Sequence, residues 1–375
     1  MAIVGEFPAL NGGEQSLLSV IPGLQTSGFS FTAFVPDGDF ADALSNANVD
    51  VKPFDFRAQG TRKPLEALRQ QLAEALVSQT FDLVHCNSLS VSRIVGPVCK
   101  QSNLVCLGYL RDIIKLNATA VADLNSCTRL IAVSHATRNF HTSQGMDGDS
   151  IHVVHNGVDL DHFRPDQPNG YLHDELKIAK PAPLILFVGQ IGLRKAPELW
   201  LQTAEIITQE FPDAQFVIVG ERNSQKQESI EYEEKLIQFS GTGSLAGRVH
   251  WLGRRQDVHN IMRESSLLIH LARQEPFGRV LLEAFGSGLP TVATNVGGTN
   301  EIFASENLQL WMVEKDNISQ AAEKAVQLLS DDQLRKQVAA QVRDHAVRNL
   351  AVEFAADRLR QHYEELLNIR VDPST

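Results

Sequence analysis

Two glutamates with seven residues between them, Glu275 and Glu283, are the side chains whose type and spacing most suggest chemistry. Gly278 lets the backbone approach a ligand closely, and Pro276 stiffens the turn that precedes it. A helix that begins just beyond Gly278 would expose unpaired N–H groups, which suit an anion such as a phosphate. Carboxylates suit hydroxyl donors. Two carboxylates beside such a helix end therefore predict a site for a sugar phosphate.

Regular elements must position these two residues. The apolar run at 266–271 predicts a buried parallel strand, an apolar face over 280–285 predicts a helix, and a second strand is expected at 290–294. Glu275 then lies in a loop, and Glu283 lies inside the helix. Alternatively, Arg279 and Glu283 form only an exposed helix pair worth a few tenths of a kcal/mol. The Pro-Phe-Gly sequence and the two flanking strands favour the functional interpretation.

The run from Glu275 through a Gly-x-Pro strand to Asn295-Val-Gly-Gly298 resembles the signature of retaining glycosyltransferases of the GT-B fold, especially glycosyltransferase family 4. In that family the first glutamate contacts the transferred sugar, as do backbone amides of the Phe-Gly pair after it. The second glutamate binds the ribose hydroxyls of the nucleotide. The resemblance implies sugar contacts for Glu275, Phe277 and Gly278, and donor binding for Glu283 with Arg279 beside it.

The segment 189–197 follows a predicted strand and precedes a predicted helix. Its adjacent cations, Arg194 and Lys195, suit a diphosphate leaving group, because negative charge grows on that group in the transition state. The family pattern has an arginine directly after the first glycine and a lysine five residues later. Lys195 matches this pattern, whereas Gln190 stands where the arginine would be. We expect Lys195, Glu275 and Arg194 to be catalytic, with Gln190 on the donor side; a solvated loop is the alternative for Arg194.

Two further loops are assigned to the donor. Gly12 and Gly13 stand between the first predicted strand and a helix, where glycines remove side-chain bulk near a ligand. Taken alone, this pair is better explained as an ordinary turn, but its place after the first strand resembles the glycine-rich loop of GT-B transferases. Gly253 and Arg254 follow a strand predicted over 248–252. The resemblance places the nucleobase near them.

Polar residues also follow two strands predicted in the first half. His85 and Asn87 end the strand at 81–87, and ligands gather at the carboxyl ends of parallel strands. A structural role for His85 is an equal alternative. Many family members have a histidine after the strand that is here 103–107, but this chain has Arg111 and Asp112. We expect these four residues on the acceptor or sugar side.

Strands and helices alternate in both halves of the chain, which predicts two doubly wound, Rossmann-like α/β domains. The resemblance implies a GT-B fold, in which the domains face each other across a cleft and the last helix crosses back to the first domain. The expected segments are an acceptor-side domain at 1–165, a proline-rich linker at 166–183, a nucleotide-sugar-binding domain at 184–350 and the returning C-terminal helix at 351–375.

The bulk properties restrict the partners of the chain. Its 375 residues, 43% of them hydrophobic, are enough for two or three domains, and its net charge of −11 argues against nucleic-acid binding. Peripheral membrane contact stays open. No apolar stretch is long enough to span a bilayer and no signal peptide is evident, so we expect a cytoplasmic protein. The four cysteines are predicted to be buried free thiols, and Asp159-Leu-Asp161 is rejected as a metal site.

The resemblance therefore implies a retaining glycosyltransferase of the hexosyltransferase type that needs neither a cofactor nor a metal ion. It would move a sugar from a nucleotide-sugar donor to a hydroxyl of a glycan, a glycolipid or a small molecule. No side chain stands out as a covalent nucleophile, so front-face attack is expected, with the leaving phosphate oxygen taking the acceptor proton. Two alternatives stay open, a GT-B-fold sugar-nucleotide epimerase and a non-catalytic sugar-nucleotide-binding protein.

Overall fold

The computed structural model describes residues 1–371, and the chain divides into two compact units. The first unit comprises Met1–Gly157 together with the chain from Val352 onward, and the second comprises Val158–Ala351. Each unit has a parallel sheet with helices, so the doubly wound α/β prediction is confirmed. Among the described residues, no helix combines the length and the apolar composition needed to cross a bilayer.

The first unit is built on one parallel sheet with a short antiparallel hairpin beside it. Its strands are β1 (Ala2–Val4), β2 (Thr32–Val35), β3 (Asp50–Pro53), β4 (Arg57–Ala58), β5 (Thr61–Arg62), β6 (Val84–Cys86), β7 (Cys106–Leu110), β8 (Arg129–Ala132) and β9 (Ile151–Val153). Its helices are α1 (Gly12–Thr26), α2 (Asp39–Asn46), α3 (Leu65–Val77), α4 (Leu89–Gln101), α5 (Ala118–Leu124), α6 (His135–Thr142) and the C-terminal helix Val352–Val371. The sheet order is β3-β2-β1-β6-β7-β8-β9, and β4 pairs with β5.

The second unit is built on a second parallel sheet. Its strands are β10 (Leu184–Val188), β11 (Gln215–Val219), β12 (Val249–Trp251), β13 (Leu267–His270), β14 (Thr291–Thr294) and β15 (Met312–Val313), in the order β12-β11-β10-β13-β14-β15. Its helices are α7 (Tyr171–Leu176), α8 (Pro197–Glu210), α9 (Gln227–Ser240), α10 (Val258–Glu264), α11 (Arg279–Gly286), α12 (Thr299–Ile302), α13 (Glu306–Gln309), α14 (Ile318–Ser330) and α15 (Asp332–Asn349). The C-terminal helix Val352–Val371 is accordingly α16.

The core of the second unit explains why its central strand is apolar throughout. Strand β10 reads Leu-Ile-Leu-Phe-Val, and its first four side chains are buried. A continuous apolar run is what a strand covered on both faces requires. Trp200 of α8 packs edge-on between Phe187 and Phe216, with ring centroids 5.8 Å from each. The loops at the carboxyl ends of these strands therefore stand on a rigid base.

One strand of the first unit lies later in the chain than the sequence suggests. A strand was expected at 103–107, but β7 spans Cys106–Leu110. Asn103 has a positive φ of 53°, so the turn after α4 continues through it and delays the strand. Position 108 within this strand is occupied by glycine because a Cβ there would lie 2.7 Å from the Ser92 hydroxyl on α4. Arg111 consequently follows the strand end directly.

The unit boundaries also differ from the expected segments. The division falls at residues 157 and 158, and residues 166–183 lie inside the second unit rather than forming a linker. Helix α7 buries Leu172, and the Glu264 carboxylate accepts hydrogen bonds from the backbone N–H groups of Asn169 and Gly170 at 2.8 and 3.0 Å. Of the expected C-terminal segment 351–375, the last four residues lie outside the described residues.

Candidate functional site

Glu275 is the centre of the best-defined polar cluster in the second unit. It lies in the loop between β13 and α11, and only 5% of its surface is exposed. The Lys195 ammonium and the Nε2 of His270 both donate to its Oε2, the latter at 2.9 Å. Arg194 approaches the other carboxylate oxygen at 3.9 Å. Two segments that are about 80 residues apart in the sequence, the loop of Arg194 and Lys195 and the stretch from His270 to Glu275, therefore meet at one buried carboxylate.

The charges of this cluster are set by burial and by mutual attraction. Burial alone would raise the pKa of Glu275, but Lys195, His270 and Arg194 outweigh it and hold that pKa well below its usual range. Burial lowers the pKa of Lys195, and Glu275 partly offsets that effect. Burial and the nearby Lys195 lower the pKa of His270, so this ring is neutral and donates its Nε2–H to the carboxylate. The site thus holds an ionised carboxylate against a buried ammonium.

Backbone geometry keeps the Glu275 loop in place. Gly297, which follows β14, has a φ of +54°, and a Cβ there would lie 2.0 Å from the Glu275 carbonyl oxygen. The N–H of the neighbouring Gly298 donates to that same oxygen at 2.9 Å. Two adjacent glycines therefore support the loop from the next strand. They are the Asn-Val-Gly-Gly glycines of the sequence signature, and here their role is close backbone approach.

The loop that carries Arg194 and Lys195 contacts the Glu275 loop through backbone as well as side-chain hydrogen bonds. The Arg194 carbonyl accepts the Arg273 N–H at 2.9 Å, and the Arg194 guanidinium donates to the Gln274 carbonyl at 3.3 Å. The Arg194 side chain is 43% exposed, whereas that of Lys195 is 12% exposed. Gln190 is exposed at the start of this loop. Lys195 is thus the less exposed cation of the loop, and Arg194 is the cation at its surface.

Glu283 lies on α11, one element beyond Glu275. Its carboxylate accepts a hydrogen bond from the Arg279 Nε at 2.7 Å, and burial raises the pKa of the Glu283 carboxyl against the opposing effect of Arg279. The pair is not a solvated surface pair, because the Glu283 side chain is only 10% exposed. Gly278, with a φ of +114°, precedes the helix, and the buried Phe277 precedes Gly278. Helix α11 therefore begins directly after Gly278, whose positive φ favours glycine.

Gly253 and Arg254 lie at the same edge of the sheet. The Gly253 carbonyl accepts the Gly220 N–H at 2.8 Å, and the Gly189 N–H donates to Val219 at 2.9 Å. These contacts join the loops that follow β10, β11 and β12. The donor-side residues predicted in the second half of the chain thus follow the carboxyl ends of neighbouring parallel strands, where ligands of doubly wound sheets bind.

Arg111 organises the candidate residues of the first unit. Its Nε and one terminal nitrogen donate to the backbone and side-chain oxygens of Asn87, both at 2.9 Å, and its other terminal nitrogen donates to Asn156 at 3.2 Å. The guanidinium lies 4.0 Å from the centre of the Tyr109 ring. A Cβ on Gly13 would come within 3.1 Å of the Arg111 side chain. Gly12 and Gly13 are the first residues of α1, so a fixed cation lies beside this helix N-terminus.

The side chains of His85 and Asp112 lie in surroundings that differ from those of Arg111, because one is fully buried and the other is exposed. His85 is fully buried, and its Nδ1 pairs at 2.6 Å with the hydroxyl of Tyr363 on α16. The Asp112 side chain is exposed, and its backbone carbonyl accepts a hydrogen bond from His141 at 2.7 Å. Burial and the contact with Tyr363 favour the structural alternative for His85, and its place on the acceptor or sugar side stays a prediction. The four cysteines are buried free thiols, as predicted.

The buried His85 makes stability depend on pH. Burial, with a contribution from Arg111, lowers its pKa to about 3. Between the ordinary histidine value near 6.5 and pH 3, the unfolded chain binds a proton that the folded chain does not, so acid removes stability. We expect the His85→Gln variant to lose less stability than the parent when urea unfolding is measured from pH 7 to pH 4. The difference should approach about 1.4 kcal/mol per pH unit below 6.5. Parallel pH profiles would contradict the assignment.

His270 is a residue of this site that the sequence analysis missed. It ends the apolar strand β13, where a histidine reads as one more core position. The available signal was its place at the carboxyl end of a buried parallel strand, five residues before Glu275. The structure gives it a positioning role, because its Nε2 donates to the carboxylate that Lys195 also contacts.

Two family models match the chain in succession. The model described as "Glycosyltransferase Family 4" matches residues 10–162, and the model described as "Glycosyl transferases group 1" matches residues 171–345. Together they cover most of the chain.

Curated relatives and solved structures match the same extent. The N-acetyl-alpha-D-glucosaminyl L-malate synthase of Bacillus anthracis is 24% identical over 315 residues, which are 80% of this chain and 78% of the relative. The UDP-Gal:alpha-D-GlcNAc-diphosphoundecaprenol alpha-1,3-galactosyltransferase of Escherichia coli is 25% identical over 313 residues, covering 79% and 78%. The crystal structure of Anabaena HepE in complex with UDP-glucose has 19% identity and a TM-score of 0.81, covering 98% of this chain and 99% of that one. The structural likeness shows a shared fold.

Proposed function

Because the chain belongs to the GT-B glycosyltransferases of the group 1/family 4 type, we propose that it transfers a hexosyl group from a nucleotide sugar to an acceptor hydroxyl, with retention of configuration and without a metal ion. The E. coli relative is named for UDP-Gal, and HepE was crystallised with UDP-glucose. These names support a UDP-sugar as the donor. The acceptor is proposed to be a hydroxyl of a glycan, a glycolipid or a small molecule.

The observation that carries this proposal is the buried contact between Lys195 and Glu275. The lysine lies in the loop that follows β10, and it is fixed by the Glu275 carboxylate in the loop after β13, which the neutral His270 also contacts. A preorganised cation stabilises charge that develops on a leaving diphosphate, since it needs no rearrangement during the reaction. Arg194 adds a second cation at the surface of the same loop, which supports a diphosphate bound without a divalent ion.

The roles of the remaining residues follow from their chemistry. The Glu275 carboxylate and the backbone N–H groups of Phe277 and Gly278 are proposed to contact the sugar, with Glu283 on the ribose hydroxyls. In front-face attack, the bond from the anomeric carbon to the phosphate oxygen breaks while the acceptor oxygen approaches the same face. The departing phosphate oxygen takes the acceptor proton. The protein then acts by positioning and by charge stabilisation.

In the first unit, Arg111 supports an acceptor role. Its guanidinium is held by amide oxygens of Asn87 and Asn156 next to the N-terminus of α1. A cation fixed beside exposed backbone N–H groups favours an acceptor that carries an anionic group near the reacting hydroxyl.

The test is the anomeric configuration of the first product, measured by NMR while transfer from a UDP-hexose is in progress. We expect the configuration of the donor to be kept, and the rate to be unchanged by a chelator. An inverted product would refute retention, and activity that vanishes with chelator and returns only with magnesium or manganese would refute metal independence. A reaction of the donor alone, to an epimerised sugar nucleotide, would support the epimerase instead.

Removal of Glu283 should weaken donor binding more than it slows transfer. Its proposed contact to ribose is present in both the ground state and the transition state, so Glu283→Ala is expected to raise the donor KM with a smaller change in kcat. The measurement is steady-state kinetics with the donor varied. The matched control is Glu228→Ala, which removes an exposed glutamate from the first turn of α9 in the same unit. A fall in kcat at unchanged KM would place Glu283 at the reacting bond instead.

A further inference from the structure

A cavity of about 590 Å³ lies in the second unit, at the edge of the sheet where the strands begin. Residues 176–182, which begin at the last residue of α7, line one side, and residues at or next to the first positions of β11 and β12 line the other. The Lys195–Glu275 contact follows the opposite ends of the strands. The five residues of β10 alone separate the two edges by roughly 13 Å. The cavity is therefore distinct from the site described above.

The charges that line this cavity are mostly positive. The lining contains three cationic side chains and one carboxylate, which are Lys177, Lys180, Arg248 and Asp213. Within the part of the chain that the structure describes, Lys177 and Arg248 make no ion pair and no side-chain hydrogen bond. Other arginines of the unit, among them Arg222, Arg255 and Arg273, are paired with carboxylates. Unpaired cations grouped in a chain of net charge −11 indicate an anionic ligand.

One of the cations that line the cavity already has a carboxylate partner. The Lys180 ammonium contacts the Asp174 carboxylate at 2.9 Å. Its side chain passes over Gly170, where a Cβ would lie 2.4 Å from the ammonium nitrogen and 2.6 Å from the preceding carbon. Gly170, with a φ of +76°, thus provides the room that Lys180 occupies. Because 48% of the Lys180 side chain and 72% of the Asp174 side chain are exposed, this pair leaves Lys177 and Arg248 as the cations available to a ligand.

The cavity also offers groups that suit hydroxyls. The Nε2–H of His250 donates to the Gln215 side-chain oxygen at 2.8 Å, and burial lowers the pKa of His250, so its ring is neutral. Its Nδ1 is then an acceptor. Asp213 adds a carboxylate, and carboxylates accept hydrogen bonds from hydroxyl groups. Cations for a phosphate and acceptors for hydroxyls stand in one cavity of a size typical for small ligands.

We propose that this cavity binds a sugar phosphate, with the phosphate on Arg248 and Lys177 and the sugar hydroxyls toward Asp213 and His250. The guanidinium offers paired donors that match two phosphate oxygens. This site does not depend on the proposed transfer reaction, and a transferase of any stereochemistry could carry it.

The test is isothermal titration calorimetry of the full-length protein with glucose 6-phosphate at low ionic strength, beside glucose and inorganic phosphate. We expect glucose 6-phosphate to bind more tightly than inorganic phosphate, and glucose not to bind. Arg248→Gln should weaken the binding of glucose 6-phosphate at least about tenfold, and Lys177→Gln should weaken it in the same direction. Melting curves followed by circular dichroism would verify that both variants fold.

Two control variants separate this cavity from other sites. Arg348→Gln removes an arginine whose side chain is 72% exposed on α15, and it should bind glucose 6-phosphate like the parent. Lys195→Gln alters the opposite edge of the sheet and should also bind like the parent. Equal affinity in Arg248→Gln would overturn the proposal. Loss of binding in Lys195→Gln would overturn it too, because it would place the ligand in the other loop.

Discussion

Substitution of Lys195 by alanine is expected to lower kcat roughly a hundredfold or more, with a smaller effect on the donor KM. The reason is that Lys195 lies where charge would grow as the bond between sugar and phosphate breaks. Its ammonium contacts the buried Glu275 carboxylate, so its position is fixed before the donor binds. The measurement is steady-state kinetics with a saturating acceptor, with the donor concentration varied over a wide range.

Folding must be separated from chemistry in this experiment, because loss of Lys195 leaves the buried Glu275 carboxylate with one partner fewer. Lys195→Gln keeps a donor for that carboxylate and should be folded like the parent, yet it should still lose most of kcat. Lys235→Ala, an exposed lysine of α9, is the matched control and should be fully active. A change in donor KM alone would make Lys195 a binding residue and would move the leaving group elsewhere.

Substitution of Gly297 by alanine is expected to destabilise the second unit by roughly 3 kcal/mol or more. The methyl group would stand 2.0 Å from the Glu275 carbonyl oxygen, at a φ of +54° that residues other than glycine rarely adopt. The Glu275 loop would have to move, with loss of the Gly298 hydrogen bond to it. The melting temperature should fall by about 6–12 °C, and the affinity for the donor should fall with it.

Gly192→Ala is the matched control for this variant. Gly192 lies in the Lys195 loop, has no positive φ, and has nothing within 4 Å of an added Cβ. It should therefore retain the stability of the parent. If Gly297→Ala melted at the temperature of Gly192→Ala, the tight contact between the two loops would not exist as described.

The parts of the molecule that the sequence predicts well are those fixed by local patterns. The helix expected after the segment 189–197 and the strand expected at 290–294 correspond to α8 and β14. Their apolar residues repeat with the period of the element, and Pro197 marks the helix start. The position of Glu275 in a loop and of Glu283 in a helix follows from the same patterns.

The parts that the sequence does not predict depend on distant contacts. Residues 166–183 are polar and rich in proline, so they resemble a linker, but Glu264, more than ninety residues later, ties Asn169 and Gly170 to the second unit. Strand β7 has a glycine at position 108 because helix α4 packs too closely against the strand for a larger side chain. Such packing leaves no periodic trace in the local sequence. The contact of His270 with Glu275 could not be predicted for the same reason, because His270 ends an otherwise apolar strand and nothing in the local sequence indicates its polar partner.

The return of α16 to the first unit sets the order in which the two units are completed during synthesis. The second unit is continuous in the chain, so all of its residues are available once Ala351 has been made. The strands of the first unit are synthesised earlier, but two residues of α16 that contact this unit are synthesised last. They are Tyr363, which pairs with His85, and Ala356, which packs on Gly23. At the usual rate of translation this delay is roughly 10–40 s. During that interval His85 and Gly23 lack the partners that α16 supplies, so the unit that is synthesised first is the last to be completed.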